Sequence, residues 1–191
     1  MTKRLVLPAS AAEIRSLRAG DAVAISGLVL TGRDRLHKHF ADGGAMPEGF
    51  RGGALYHCGP VIVREGAAWR VAAAGPTTSS RENQYEPDFI AATGVRVIVG
   101  KGGMDAATLA AMKRYGCIYV QATGGAAAVA AACVKRVAGV SLLDEFGSAE
   151  ACWQLEVENF PGIVAMDAHG ASLFDAVAKT SAARLDALFH A

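Results

Sequence analysis

The residues of this chain best suited to chemistry lie between positions 75 and 103. Three consecutive hydroxyl side chains, at positions 77–79, follow a Gly-Pro turn, and Arg81 comes two residues later. A short apolar run at 95–99 predicts a buried strand, and Lys101 follows it within a glycine-rich turn. Two cations, a row of hydroxyls and several glycines therefore gather where strands are predicted to end.

Such a set of side chains is suited to binding a small anion. In open α/β sheets, ligands bind outside the carboxyl ends of the strands. Arg81 offers a planar fork of donors and Lys101 a movable point charge, which together suit a carboxylate or a phosphate. The same residues also fit two turns between strands and helices that need glycine for backbone reasons and carry surface cations.

A further cation follows another predicted strand. The segment 21–32 is rich in Val, Leu and Ile, which predicts a largely buried strand. Arg33 then lies just beyond its carboxyl end, where a ligand-facing group would lie. Asp34 and His37 are three residues apart and share one helical face. This spacing fits groups near a ligand, and it also fits a local hydrogen-bond network at the start of a helix.

Two glycines precede an alanine-rich run that predicts a helix at 124–133. Thr123, Gly124 and Gly125 are similar to a nest, in which free N–H groups at a helix start can hold an anion. Close packing of a helix on a strand also requires glycine at this place. The sequence leaves both interpretations open.

Composition limits the classes of protein to which the chain can belong. Its 191 residues fit a single domain, 1–191, with a sizeable core, and 52% hydrophobic against 19% charged residues indicates a globular protein. The net charge of +1 argues against a broad nucleic-acid or membrane surface. No secretory signal is visible, and the longest apolar stretch, 126–134, is too short to span a bilayer. We therefore expect a cytoplasmic protein.

The four cysteines do not form a metal-binding pattern. Cys58, Cys117, Cys133 and Cys152 include no pair at CxxC spacing, and no histidine stands at zinc-site spacing from them. In a cytosolic chain such residues are more often small buried hydrophobes. We therefore expect neither a metal nor a cofactor to be bound by this chain's own residues.

Local patterns predict an α/β chain with a mixed sheet, short strands in the first half and βα units in the second. The predicted helices are 10–19, 87–93, 105–115, 124–133 and 173–189. The predicted strands are 21–32, 95–99, 117–121, 134–143 and 162–167, with two or three more in 54–78. The segment 152–160 fits either strand or helix. Consecutive short strands argue against a plain Rossmann order and for strands that pair with strands.

Four stretches together resemble one known family. They are TGRDRLHK (31–38), GPTTSSR (75–81), GKGGM (100–104) and LDEFGSAEACWQLEVENFP (143–161). In this order and spacing they resemble the β subunit of the iron–sulfur class I fumarases and L-tartrate dehydratases, over nearly the whole chain. The departures are Leu36, Ser80 and Ala149, where the family more usually has Ala, Gly and Pro, and they bear on the shape of the pocket more than on the reaction class.

The resemblance implies a swivelling β/β/α domain and a division of labour between two halves. The α half carries a [4Fe–4S] cluster on three cysteines, and the β half lends cations and a proton-transfer group. Because this chain starts at its own Met1 with β-type sequence, we expect the two-subunit form, assembled as a dimer of αβ units. The cofactor is then expected on the partner α subunit.

The resemblance also assigns roles to particular residues. It implies that Thr77 is the general base, and that Arg33, Arg81 and Lys101 bind the substrate carboxylates. Residues expected to support the site are Asp34, His37, Thr78, Gly124 and Gly125, with Asp167 and His169 as further supporting or structural candidates.

The implied activity is that of a hydro-lyase (EC 4.2.1), the reversible hydration of fumarate to (S)-malate, active only with the α subunit. One alternative is the β subunit of an L(+)-tartrate dehydratase, which converts tartrate to oxaloacetate. Another is a non-catalytic module that binds a carboxylate. A small dicarboxylate is the expected ligand in each case.

Overall fold

The computed structural model describes residues 1–66 and 68–189. The strands are β1 (Lys3–Val6), β2 (Ala22–Gly32), β3 (Ala54–His57), β4 (Val61–Glu65), β5 (Ala68–Ala73), β6 (Val97–Gly100), β7 (Ile118–Gln121), β8 (Val134–Ser141) and β9 (Cys152–Met166). The helices are α1 (Ala11–Ser16), α2 (Asp34–Ala41), α3 (Glu86–Thr93), α4 (Ala106–Tyr115), α5 (Ala127–Ala132), α6 (Leu143–Phe146) and α7 (Leu173–Phe189), with a 3-10 turn at Ser79–Glu82 before α3.

One mixed sheet organises the chain. Its strand order is β1-β2-β3-β6-β7-β9-β8. The first five strands of this order, β1, β2, β3, β6 and β7, each pair in parallel with their neighbours among the five. The long strand β9 runs antiparallel to β7, β8 and β2, so that β2, β3, β6, β7 and β9 form a closed ring. Strands β4 and β5 pair separately as an antiparallel ribbon. The predicted α/β class with a mixed sheet is therefore confirmed.

Helices cover one face of the parallel strands. Leu55, Ile98 and Tyr119 are fully or almost fully buried on this face and belong to one apolar cluster with Phe89 of α3 and Met112 of α4. Side chains alternate across a strand, so every second residue of β3, β6 and β7 faces these helices. Burying each large apolar side chain contributes about 1.5–3 kcal/mol.

Antiparallel strands cover the opposite face. Tyr56, Val99 and Val120 are the sequence neighbours of the helix-facing residues, and they pack in a second buried cluster with Trp153 and Leu155 of β9. Both faces of the central parallel strands are thus apolar, which explains why their sequences read as continuous hydrophobic runs rather than alternating ones. The layers are helices, parallel strands and antiparallel strands.

Several predicted helix limits follow from local hydrogen bonds. Ser10 and Glu13 form the predicted capping box, but α1 ends at Ser16 rather than at 19, because Leu17 has extended backbone angles. Asp105 caps α4 by accepting a hydrogen bond from Thr108 N–H, and Gly116 ends the helix in the left-handed conformation.

Three sequence predictions differ from the structure. The separate segments 152–160 and 162–167 are one strand, β9, which changes neighbours along its length. Strand β1 and the short helix α6 were not predicted. Helix α5 begins at Ala127, so the two glycines at 124–125 form a turn before it rather than its first turn. Pairing with distant strands decides β9 and β1, and a local window does not contain that information.

The predicted site residues lie on three loops, of which two leave the mixed sheet and one leaves the β4–β5 ribbon. Arg33 directly follows β2, Lys101 directly follows β6, and Thr77 lies four residues after β5. Among the described residues no helix is long and apolar enough to cross a membrane.

Candidate functional site

Backbone hydrogen bonds join the Thr77 and Lys101 turns. Thr77 N–H donates to the His57 carbonyl at the end of β3, at 2.7 Å. Lys101 N–H donates to the Thr77 carbonyl at 3.3 Å, and Ser79 N–H donates to the Lys101 carbonyl at 3.0 Å. The segment 77–79 therefore extends the edge of the sheet beside β6, as a parallel bridge between Thr78 and Lys101 also indicates.

Arg81 connects the Thr77 turn with the start of α2. Its Nε donates to Asp34 Oδ1 at 2.9 Å, and its Nη2 donates to Asp34 Oδ2 at 2.8 Å. Nη2 also donates to Thr77 Oγ1 at 3.1 Å. The hydrogen bonds from Arg81 hold the pKa of Asp34 below its usual value, and the same contact raises the pKa of Arg81. Both side chains therefore stay charged at neutral pH.

Arg33 lies at the first position before α2 and points its charge toward two acids. Its Nε lies 2.8 Å from Glu150 Oε1 and 3.5 Å from Asp34 Oδ2, although its N–H is not directed at either oxygen. The preceding Gly32 has no room for a side chain, because a Cβ there would collide with Leu36 of α2. Glycine at this position allows the strand to turn tightly into the helix.

Lys101 offers an ammonium group that no described acid neutralises. In residues 1–66 and 68–189 its Nζ makes no hydrogen bond or ion pair, whereas its backbone is fixed on both sides. A Cβ on Gly124 would lie 3.5 Å from Lys101 Cδ, which places that glycine beside the lysine stem. Gly125, with a φ of +80°, has no neighbour within 4 Å of such an atom. The supporting roles of Gly124 and Gly125 remain predictions.

His37 lies beneath the surface of the site and not on it. Its ring is completely buried, with Nε2 2.9 Å from Glu86 Oε2 and Nδ1 3.0 Å from the Arg33 carbonyl. The contact with Arg33 is a hydrogen bond at the start of the helix, although the network expected there from the sequence concerned Asp34 and His37, and the contact with Glu86 links this start to α3. Asp34, by contrast, lies at the surface and pairs with Arg81.

A group of buried polar residues beneath the turns was not predicted from the sequence. His57, Glu82 and Glu86 have no solvent exposure, and all three lie close to His37. Burial raises the pKa of Glu82 to about 7, whereas the two histidines lower the pKa of Glu86 to about 2 against the effect of its burial. Glu82 ends the 3-10 turn and Glu86 begins α3, and their spacing of four residues was a signal that the two carboxylates could lie close together.

Asp167 and His169 lie away from this group. Met166, the residue before Asp167, pairs with Tyr119 near the start of β7, whereas Gln121 at the carboxyl end of β7 pairs with Ile163. The Asp167 carboxylate accepts hydrogen bonds from three backbone N–H groups, including that of His169. These two residues therefore stabilise the turn before α7, which agrees with the structural role that was one of their two expected roles.

The donor set of the site suits a dianion better than a metal. Arg81 contacts the Thr77 hydroxyl, the Lys101 turn is hydrogen-bonded to the Thr77 turn, and the nearby acids Asp34 and Glu150 are paired with Arg81 and Arg33. All four cysteines are free, and burial raises the pKa of each thiol. Iron–sulfur clusters are held by thiolates, so these cysteines are poor candidates for ligands. His37, His57 and Glu86 offer three ligand atoms within 4.8 Å of one another, but all are buried.

Comparison with known proteins places this geometry in a family. The family model described as Fumarase C-terminus matches residues 2–177. The chain belongs to this family. The resemblance drawn from the four stretches is thereby confirmed, and Arg33, Thr77, Arg81 and Lys101 all fall within the part that matches the fumarase C-terminus.

Curated relatives carry two kinds of name. A protein of Geobacillus stearothermophilus named "Putative fumarate hydratase class I" is 46% identical over 182 residues, covering 95% of this chain and 35% of that relative. One of Methanocaldococcus jannaschii named "Putative L(+)-tartrate dehydratase subunit beta" is 40% identical, covering 92% of this chain and 93% of the relative. The L(+)-tartrate dehydratase subunit beta of Escherichia coli (strain K12) is 34% identical, covering 97% of this chain and 93% of that relative. The chain thus spans about a third of the first relative and nearly all of the other two.

Proposed function

We propose that this fumarase C-terminus chain is the β subunit of a two-subunit iron–sulfur hydro-lyase that reversibly hydrates fumarate to (S)-malate. Family membership and the names of the relatives support the reaction class. The observation that carries the assignment of the site is the contact between Arg81 Nη2 and Thr77 Oγ1 at 3.1 Å. This contact supports the proposal because it gives the hydroxyl a cationic partner, at the edge where we propose that the carboxylates bind.

Hydration of a dicarboxylate needs two carboxylates held, one hydroxyl polarised and one proton moved at the adjacent carbon. Arg33 lies next to Asp34, the acid that Arg81 holds, and the Lys101 turn is hydrogen-bonded to the Thr77 turn, so both are proposed to add positive charge near the hydroxyl. Arg81 uses its Nε and Nη2 for Asp34, and its Nη1 has no hydrogen bond among the described residues. The outer edge of its guanidinium is therefore left for a substrate carboxylate.

Thr77 is proposed to move the proton. In the dehydration direction, its oxygen takes a proton from the carbon next to the hydroxyl-bearing carbon while the hydroxyl group departs from that neighbour. A threonine oxygen is a weak base at neutral pH, because an alkoxide is costly to form. The hydrogen bond from Arg81 stabilises negative charge on this oxygen, and Lys101 adds to the positive potential. An acidic partner on the other subunit is expected to receive the threonine's own proton.

The cofactor of the proposed enzyme is a [4Fe–4S] cluster on the partner α subunit. When bound there, it would supply a Lewis acid to the departing hydroxyl group. This chain contributes the binding of the carboxylates, their orientation and the proton transfer. The proposed swivelling movement of the β/β/α layers would bring the Thr77 turn toward that partner.

Apolar surface lies next to the Lys101 turn and is proposed to contact the α subunit. A groove between α7 and the sheet is lined by Ile163, Phe174 and Val177, and its edge includes Gln121, which accepts a hydrogen bond from Gly102 N–H. No side chain of helix α7 is fully buried in this chain, and only its first residues, Leu173 and Phe174, are partly buried against the apolar cluster. Because the first relative is almost three times as long as the matched region, a larger partner is the expected occupant. We propose a cytoplasmic dimer of αβ units.

The β subunit of an L(+)-tartrate dehydratase is the second candidate, which the two relatives matched over 93% of their length favour. It uses the same cations and hydroxyl, and differs in how the second hydroxyl of the substrate is held. A non-catalytic module that binds a carboxylate is the third.

Anaerobic co-expression with the proposed α subunit separates these candidates. We expect the isolated chain to be colourless and inactive, and the brown complex to turn over fumarate and malate. Turnover of tartrate without fumarate would select the second candidate. A chain that binds dicarboxylates but forms no complex would support the third, and fumarate hydration by the chain alone would contradict the division of labour.

A further inference from the structure

A single buried carboxylate lies beneath the site and contacts two histidines. Glu86 Oε2 is 2.9 Å from His37 Nε2 and 3.2 Å from His57 Nε2, and none of the three side chains is exposed. The N–H of His37 is well aligned with this oxygen, whereas that of His57 is poorly aligned. The carboxylate therefore joins α2, which carries His37, to β3, which ends at His57.

The partners of each ring determine where its protons lie. His37 faces oxygen acceptors through both nitrogens, since Nδ1 is 3.0 Å from the Arg33 carbonyl and Nε2 faces Glu86. Two such acceptors favour an imidazolium, with a proton on each nitrogen. His57 Nδ1 faces the Ser79 hydroxyl at 2.9 Å, which can donate to it. His57 is then neutral with its proton on Nε2, facing Glu86. Burial lowers the pKa of His37, but Glu86, Glu82 and the Arg33 carbonyl together raise it above its usual value. Burial leaves the pKa of His57 lowered. Both directions agree with this assignment.

A branch of the same network reaches the glycine-rich turn. The Ser79 hydroxyl is 3.0 Å from the Tyr119 hydroxyl, which accepts a hydrogen bond from Gly103 N–H at 3.3 Å. Gly100 borders this branch, and a Cβ there would collide with Ser79 Oγ and lie 3.3 Å from His57 Nδ1. Glycine is thus required at position 100 for the branch to form.

The network contacts three turns, and each of them carries a proposed site residue. His37 holds the carbonyl of Arg33, the His57 carbonyl accepts the Thr77 N–H at 2.7 Å, and the branch holds the turn that contains Lys101. We propose that Glu86 is a positioning residue, which fixes the three turns relative to one another through His37 and His57. The part concerning catalysis rests on the proposed function, whereas the part concerning geometry does not.

Glu82 offers a matched comparison within the same segment. It is also buried and lies 3.5 Å from His37 Nδ1, but neither of its oxygens makes a hydrogen bond to any residue that the structure describes. A second carboxylate next to one imidazolium is therefore present without linking any turn. Replacing Glu82 removes a buried charge, and replacing Glu86 removes the link.

The first test uses the histidine ring spectrum of the full, ¹⁵N-labelled chain without its partner. Assignment by H37Q and H57Q should show both nitrogens of His37 protonated at neutral pH, and His57 protonated on Nε2 alone. A neutral His37 would overturn the proposal. Stoichiometric zinc or iron in the purified chain would also overturn it, because a metal at these ligands requires Nε2 of both rings to be unprotonated.

The second test measures hydrogen exchange at the Thr77 and Gly103 amides. The E86Q variant can keep an oxygen facing both rings but removes the negative charge that favours a second proton on His37, so that ring can no longer donate both to position 86 and to the Arg33 carbonyl. We therefore expect exchange at both amides to quicken at least about tenfold, while β4 and β5 stay unchanged. E82Q should leave both amides as in the wild type. If E86Q fails to fold, S79A should quicken Gly103 but not Thr77. Unchanged exchange at both amides in a folded E86Q would overturn the proposal, and unchanged Gly103 exchange in S79A would contradict the part that concerns the branch to the Lys101 turn.

The third test uses the complex with the α subunit. For E86Q we expect kcat to fall at least about tenfold, because small displacements of reacting groups are costly, with KM changed less. E82Q should keep wild-type kcat. Wild-type kinetics in E86Q would overturn the catalytic part of the inference. An inactive wild-type complex would instead contradict the proposed function, and the first two tests would still decide the geometry.

Discussion

Arg81 and Asp34 meet through two parallel hydrogen bonds, 2.9 Å from Nε to Oδ1 and 2.8 Å from Nη2 to Oδ2. This geometry fixes the plane of the guanidinium, and Nη2 then also reaches Thr77 Oγ1. An acid on one turn thereby orients a cation on another, and the cation orients a hydroxyl. The planar fork of arginine is needed for all three contacts, since a lysine has one nitrogen.

Arg81→Lys should therefore not behave as a conservative substitution. Lysine keeps the charge but cannot hold Asp34 through two bonds while it contacts Thr77. We expect a loss of roughly 2–3 kcal/mol in transition-state binding, the range for hydrogen bonds to charged groups, measured as kcat/KM in the complex with the α subunit. Arg70→Lys is the control, because Arg70 is an exposed arginine that pairs with Glu65 away from the site. Wild-type kinetics for Arg81→Lys would show that Arg81 is a surface cation.

Lys101→Met should weaken the binding of the dicarboxylate. Methionine keeps an unbranched apolar side chain but removes the ammonium group, which has no acid partner among the described residues. We expect KM to rise by about tenfold or more, as for the loss of one charged hydrogen bond, with little change in thermal stability. Lys135→Met, which removes an exposed lysine that pairs with Glu158, should leave KM unchanged. Unaltered KM in Lys101→Met would contradict the binding role.

The sequence predicted the outer part of this site better than its support. Arg33 and Lys101 follow strands directly, so a strand prediction is enough to place them at one edge. The contact between Arg81 and Asp34 depends on two turns 47 residues apart, and no local pattern contains it. His57 lies inside a segment predicted only as short strands, where a buried histidine looks like any other core residue. The role of Glu86 becomes visible only when α2, α3 and β3 are packed together.

The same reasoning explains the outcome for the fold. Helix α4 was predicted closely, because its cap, its period and its terminal glycine are all local. Strand β9 was divided in two, because its continuity comes from pairing with β2 over most of its length. Local signals therefore fix helix ends here, and long-range pairing fixes the strands.

Glu82→Gln should stabilise the chain above neutral pH. Burial raises the pKa of Glu82 from 4.5 to about 7, so the folded state binds this proton more tightly than the unfolded state does. The contribution of Glu82 to the free energy of unfolding is therefore full below pH 4.5 and is lost as the pH rises to about 7. Such a shift corresponds to a loss on the order of 3 kcal/mol, and glutamine does not incur it.

Urea denaturation of the isolated chain at acidic and alkaline pH checks this. Charged groups acting on Glu82 are His37 and Arg81, which favour its ionised form, and Asp34 and Glu86, which oppose it. At alkaline pH the free energy of unfolding should be larger for Glu82→Gln than for the wild type, and at acidic pH the two values should be equal. Glu48→Gln, at an exposed position, should show no such difference. A Glu82→Gln chain less stable than the wild type at alkaline pH would mean that the carboxylate makes a stabilising contact.

Thr77→Val tests the proposed proton transfer most directly. Both side chains are β-branched and similar in shape, and the Thr77 N–H keeps its bond to the His57 carbonyl. The chain should therefore fold, with Arg81 losing one of its three hydrogen bonds. If Thr77 moves the proton, kcat should fall by at least about 10²-fold, the low end for general acid–base catalysis. Substrate should still bind, because Arg33, Arg81 and Lys101 remain.

Exchange of a malate C–H proton with solvent deuterium gives an independent readout for the same variant. It depends on the same abstraction, so it should fall by a factor similar to that for kcat. Thr93→Val is the control, because the Thr93 hydroxyl only bonds within and just after α3, and it should retain both rates. If turnover and exchange both persist in Thr77→Val, the hydroxyl only orients Arg81, and the base that removes the proton must belong to the α subunit.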